Sequence, residues 1–224
     1  MVAAAPDLFR LIEGAFRDAW PLMKSRMKVY WILAGICAIA SLPAILAYFT
    51  PNAQDAWQIR IQMAIQPADA LGAIAVFFVM PAVARTVRPE FAMTFGLILA
   101  VFGIGLIVGV LAEIGIFLLI LPGVWIMVKW YLATWCYLLS DGKNPFGESW
   151  EITTGHFWET FGFAILLSML VTAGLLVGFF LPVAIAILVP ALAVVLCPLA
   201  FFAFVFAYHV TFLAQMRWML ALRG

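Results

Sequence analysis

Apolar residues fill two long stretches of the chain almost without interruption, Phe91 to Ser140 and His156 to Met216. Each is about twice the ~20 residues that one helix needs to cross the hydrocarbon core of a bilayer, so each must fold back on itself. With two shorter apolar stretches nearer the N-terminus, the pattern predicts an all-α, polytopic integral membrane protein. Its six spans are expected at 29–50, 67–87, 92–121, 124–140, 157–181 and 190–216, forming one transmembrane domain over 29–224. Thr50-Pro51-Asn52 stops the first span, and Pro81 predicts a kink in the second. Pro122 and Gly123 form a breaker pair with no polar loop around it, the expected turn of a tight hairpin between spans three and four. The segment from Pro182 to Val189 is too apolar for a solvated loop and is expected to turn at the membrane surface.

Residues 1–28 follow a different period. Leu8, Ile12, Ala15, Phe16 and Ala19 fall at i, i+4, i+7, i+8 and i+11, while Arg10, Glu13 and Arg17 occupy the other face. This predicts an amphipathic interfacial helix with Asp7 as its N-cap. Phe9, Ile12 and Phe16 are its expected contacts with lipid or a partner. Docking of the same face on the bundle's own cytoplasmic end is the second reading of the pattern. No apolar core with a small-residue cleavage site precedes it, so no cleavable signal peptide is expected.

Composition agrees with the membrane reading: 67% of the 224 residues are apolar and 10% charged, against roughly 25% charged in an ordinary soluble domain. The formal net charge of +1 conceals an asymmetry. With six spans, Arg10, Arg17, Lys24, Arg26, Lys28, Arg85, Arg88, Lys143, Arg217 and Arg223 all fall on the side of the termini, and Arg60 alone falls in the opposite loops. Basic residues collect in cytoplasmic loops, so both termini are expected in the cytoplasm of a bacterial-type inner membrane. The outer loop Pro51 to Gln66 carries Trp57. No basic stripe suited to nucleic acid occurs. Cys37, Cys136 and Cys197 sit in apolar stretches without CxxC spacing, which implies neither a disulfide framework nor a zinc site.

Two charges fall well inside predicted spans. Glu113 lies about nine residues before Pro122-Gly123 and Lys129 about six after it, so their depths differ by only roughly 4 to 5 Å. An intramembrane charge costs about 2.5 to 3.5 kcal/mol on the lenient scale, so pairing of the two across the hairpin is expected. Asp69 and His209 are the other ionisable groups near or within spans. A helix-to-helix hydrogen bond is the expected role of His209, with cofactor ligation requiring a cavity that sequence does not reveal. Gly105-x-x-x-Gly109 and Gly174-x-x-x-Gly178 allow close helix approach, within the chain or between copies.

Asn144-Pro145-Phe146-Gly147-Glu148-Ser149-Trp150-Glu151-Ile152 reads as a short interfacial helix capped by Asn144, with Pro145 at its first position and Gly155 as its stop. Phe146, Trp150 and Trp158 are its expected membrane-facing or partner-facing rings. The segment serves either as a connector orienting span five or as a binding platform. Asp141, Glu148, Glu151, His156 and Glu159 lie close in sequence, yet no metal, nucleophile-elbow or phosphate-loop motif accompanies them.

The runs Leu121-Pro122-Gly123-Val124-Trp125-Ile126-Met127-Val128-Lys129-Trp130 and Ser149-Trp150-Glu151-Ile152-Thr153-Thr154-Gly155-His156-Phe157-Trp158 resemble a six-span bacterial superfamily. It includes the membrane-anchor domain of glycerophosphodiester phosphodiesterases and the YciC-like inner-membrane proteins. The resemblance implies the six-span layout. It implies no phosphodiesterase activity, since the catalytic barrel of some relatives has no counterpart in these 224 residues. The glutamates around Thr153-Thr154-Gly155 depart from the more basic character expected there. The expected function is a non-catalytic accessory, scaffold or lipid-organising protein, with membrane lipids, a membrane-protein complex or a second copy as partners and no cofactor. The alternative is a small transporter or channel using Glu113 and Lys129.

Overall fold

A computed structural model describes residues 7–40, 77–118, 120–140, 144–189 and 192–223. The second half of the first predicted span, the first half of the second, Asp69 and the loop with Trp57 lie outside the described residues. Among the described residues the chain is all-α, without a strand. Three helical stretches are long and apolar enough to cross a membrane: Phe95–Gly115, Phe157–Ala186 and Val194–Arg223.

Helix α1 (Leu8–Lys24) starts where predicted. The Asp7 carboxylate accepts from the backbone N–H groups of Phe9 and Arg10 at 3.1 and 3.3 Å, satisfying two donors that a helix start leaves unpaired. A two-residue corner, Ser25 and Arg26, leads into α2 (Met27–Ala40), and the Ser25 hydroxyl donates to the Leu22 carbonyl at 2.6 Å. Residues 77–84 are helical and include Pro81. The Arg85 guanidinium then ties the following turn by donating to the Phe91 carbonyl at 2.8 Å.

Helices α3 (Phe95–Leu118) and α4 (Ile120–Trp130) form the expected hairpin, but α4 already begins at Ile120, so Pro122-Gly123 lies inside that helix and does not make the reversal. Pro122 is the third residue of α4, within the first turn, where a missing N–H leaves no bond unmade. Gly123 has a different task from turning the chain. A Cβ on Gly115 would stand 2.6 Å from the Gly123 Cα, so the missing side chain of Gly115 lets α3 reach the backbone of α4 at Gly123.

The predicted fourth span is two helices. After α4 the chain turns at Tyr131 and Leu132 before α5 (Ala133–Leu139). The break leaves the Lys129 carbonyl available, and the buried Ser149 hydroxyl donates to it at 2.8 Å. Ser149 belongs to α6 (Pro145–Thr153), whose Asn144 side chain accepts from the Gly147 N–H at 3.0 Å and whose first residue is Pro145. Gly155, just past this helix, has φ +87°, a conformation that favours glycine and ends the helix as expected.

Helix α7 (Phe157–Leu175) passes through a π-helical turn (Leu176–Phe180) directly into α8 (Leu181–Leu188). The surface turn expected over Pro182 to Val189 is therefore helical for most of its length. The π turn is one way for a helix to carry Pro182, whose ring would otherwise crowd the preceding turn. Helix α9 (Ala193–Arg223) runs for 31 residues with Pro198 inside it.

The chain divides into two compact units, Met1–Phe16 with Pro81–Ser168 and Thr211–Gly224, and Arg17–Met80 with Met169–Val210. The core of the first is built on Trp218, stacked on Phe163 at 4.9 Å and donating its indole N–H to the Thr160 hydroxyl at 3.2 Å. In the second, Tyr30, Phe201 and His209 are fully buried. A Cβ on Gly178 would meet the Ala203 Cβ at 2.7 Å, so in the second unit the π turn packs tightly on α9.

Candidate functional site

Lys129 is the one buried lysine or arginine among the described residues, 6% exposed, and it does not pair with Glu113. Its ammonium donates to the Thr154 hydroxyl oxygen at 2.9 Å. That hydroxyl in turn donates to the Trp150 carbonyl at 2.6 Å, which turns an oxygen lone pair toward the lysine. The rings of Trp150 and Trp125 meet edge to face at 4.5 Å and flank the cation, their centroids 5.2 and 5.9 Å from Nζ. Thr154 itself is exposed. The lysine stem is thus buried while its charge reaches the edge of the α6 connector, as long cationic side chains do when buried along apolar surface. Its position in the last turn of α4 also sets the charge against the negative end of that helix. Glu113 is exposed on α3 and makes no ion pair among the described residues. Depth along the two helices predicted the pairing; the rotation of each helix about its own axis decided against it.

The connector's aromatic residues divide in the same way. Phe146 packs against Trp130 at 5.1 Å and Trp150 against Trp125, and both rings stay half-buried, each with one side on α4. Trp158 is 75% exposed. Glu148 accepts from the Ser140 hydroxyl at 2.7 Å and pairs with the Arg223 guanidinium. These contacts tie α5, α6 and the end of α9 together. Sequence reading missed them because Arg223 lies 83 and 75 residues from Ser140 and Glu148 and the three are unremarkable one by one.

Helix α1 carries the clearest division of labour. Ile12, Ala15, Ala19 and Met23 are buried, Ile12 at 3% exposure, which removes Ile12 from the expected lipid contacts. A Cβ on Gly14 would come 2.7 Å from an Arg217 guanidinium nitrogen, so the Arg217 side chain reaches across to α1 at Gly14. Phe9 at 71% exposure, Phe16 and Trp20 remain outside. At 100° per residue they fall within about 40° of one line along the helix. Arg10, Arg17 and Lys24, spaced by seven, run beside that line, and all three are exposed. Trp20 was missed because it lies beyond the apolar period read from Leu8 to Ala19.

His209 is engaged on both ring nitrogens. A carbonyl only accepts, so the 2.9 Å contact from Nδ1 to the Val205 carbonyl places the proton on Nδ1. In the neutral ring Nε2 then accepts from the Tyr30 hydroxyl at 3.3 Å. The histidine joins α2 to α9 inside the second unit. Among the described residues, Gly105 and Gly109 have no atom within 4 Å of a Cβ placed on them, in contrast to Gly178. Among the described residues no group of three His, Cys, Asp or Glu side chains could hold a metal ion.

Comparison with family models, curated proteins and solved structures finds no match for this chain.

Proposed function

We propose that this is a six-span, non-catalytic protein of a bacterial cytoplasmic membrane, with both termini in the cytoplasm, acting at the inner leaflet as a lipid-binding accessory or membrane-organising factor. The observation that carries the reading is the division of α1. One apolar stripe, Ile12, Ala15, Ala19 and Met23, is buried, while a second, Phe9, Phe16 and Trp20, is exposed beside Arg10, Arg17 and Lys24. Aromatic rings next to cations are the side chains favoured at the boundary between acyl chains and anionic headgroups. The exposed pairs Arg10–Asp7 and Arg17–Asp18 compete weakly with such headgroups. The ten-to-one distribution of basic residues supports placing this helix on the cytoplasmic side.

Transport through Glu113 and Lys129 would need both charges on one path. Engagement of the Lys129 ammonium by Thr154 and two indoles favours the accessory reading.

Hydrogen exchange on the full chain in nanodiscs tests the proposal. With phosphatidylglycerol as the lipid, amides of residues 8–24 are expected to exchange more slowly than with phosphatidylcholine. Ser at Phe9, Phe16 and Trp20 together should abolish that difference and leave exchange in α9 unchanged. Equal exchange of α1 in both lipids would refute the reading.

A further inference from the structure

In the second unit, α1, the Ser25–Arg26 corner and α2 enclose a cleft of about 770 Å³. Its walls include Trp20, Lys24, Arg26 and Lys28, three cations within five residues, and none of the three has an ion-pair partner among the described residues. Farther along α2 lies a groove of about 460 Å³ between α2 and the first half of α9, lined among the described residues by apolar side chains and Gly35. Trp31, Gly35, Pro198 and Phe202 shape it, with the Trp31 and Phe202 rings 4.8 Å apart at one side. Among the described residues nothing lies within 4 Å of a Cβ placed on Gly35, so they leave the groove open where that residue lacks a side chain.

The two hollows belong to one helix face. Lys28, Trp31 and Gly35 are spaced i, i+3, i+7 and lie on the same side of α2. From Lys28 to Ala38, the last groove residue on α2, is about 15 Å along the helix, half of the ~30 Å hydrocarbon core and therefore the depth of one leaflet. A cationic cleft at one end and an apolar channel of leaflet depth beyond it match a molecule with a phosphate head and a hydrocarbon tail. We infer that this face of α2 holds an anionic phospholipid, its phosphate at Lys24, Arg26 and Lys28 and one acyl chain in the Trp31–Gly35–Pro198 groove. The inference rests on the proposed placement of the α1–α2 corner at the inner leaflet. It differs from surface contact by Phe9 and Phe16 in requiring one retained molecule.

Native mass spectrometry of the full chain in mild detergent, with equal amounts of dioleoyl phosphatidylglycerol and dioleoyl phosphatidylcholine added, reads the site directly. The natural chain is expected to keep one phosphatidylglycerol with a preference of roughly tenfold. Gln at Lys24, Arg26 and Lys28 together should bring the preference to about one. Gly35→Leu should reduce retention of both lipids at an unchanged thermal midpoint. Equal retention of the two lipids by the natural chain, or an undiminished preference in the triple-Gln variant, overturns the inference. So does displacement by glycerol 3-phosphate as effective as displacement by phosphatidylglycerol, which would mean a phosphate site without a chain groove. If α1 exchange responds to phosphatidylglycerol while no lipid is retained, this site falls and the proposed function stands. Retention without the exchange response reverses that outcome.

Discussion

Lys129 shows how one side chain can satisfy two demands at once. Its carbonyl accepts from Ser149 where α4 ends, and its ammonium reaches Thr154 between two indoles, so the same residue fastens the middle of α6 and its C-terminal cap to the hairpin. Cation–π contact contributes on the order of 0.5 to 2 kcal/mol, and a hydrogen bond to a charged group about 1.5 to 3 kcal/mol. Thr154→Val is therefore expected to lower stability by about 1 to 2 kcal/mol in thermal unfolding followed by size-exclusion chromatography. Because Lys129 does not face Glu113, the double exchange Glu113→Lys with Lys129→Glu should yield no more folded protein than Lys129→Glu alone. Recovery of folded protein by the double exchange would reinstate the pair. The intramembrane charges were legible in the sequence as costly and in need of partners. The partner was not, because spacing along two helices fixes depth and leaves azimuth open, and Thr154 lies 25 residues away on a connector.

At the level of elements, local capping chemistry was readable and helix interruptions were not. Asp7, Asn144, Pro145 and Gly155 each act as their residue types require. The break at Tyr131–Leu132 carries no proline or glycine; it is held by a hydroxyl from α6, a tertiary cause invisible to a local pattern. Conversely, Pro122 and Pro182 read as breakers, yet one sits in a helix's tolerant first turn and the other follows a π turn. The hairpin itself depends on the Gly115–Gly123 contact. Gly115→Leu should cost about 1 to 3 kcal/mol or more and loosen the α3–α4 pair, because a Cβ there clashes with the Gly123 backbone. Pro122→Ala should be nearly neutral. Thermal unfolding of the two variants side by side checks this, and equal behaviour would show that the proline, and not the glycine contact, closes the hairpin.

For the whole molecule, the apolar pattern yields an all-α membrane protein directly, since three stretches are long and apolar enough to cross a bilayer. The two faces of α1 carry the functional reading, and the sequence offered both as alternatives: docking on the protein and contact with the membrane. Both hold at once because α1 has two apolar stripes. Ile12, Ala15, Ala19 and Met23 are buried; Phe9, Phe16 and Trp20 are left outside beside a cationic edge. The central claim is that this outer edge lies in the cytoplasmic leaflet. The most direct measurement places a single environment-sensitive fluorophore at residue 16, or at residue 17, of a chain whose three cysteines are replaced, reconstituted in vesicles with lipids carrying a shallow spin-label quencher. The account predicts strong quenching at 16 and weak quenching at 17. Equally weak quenching at both positions would contradict it.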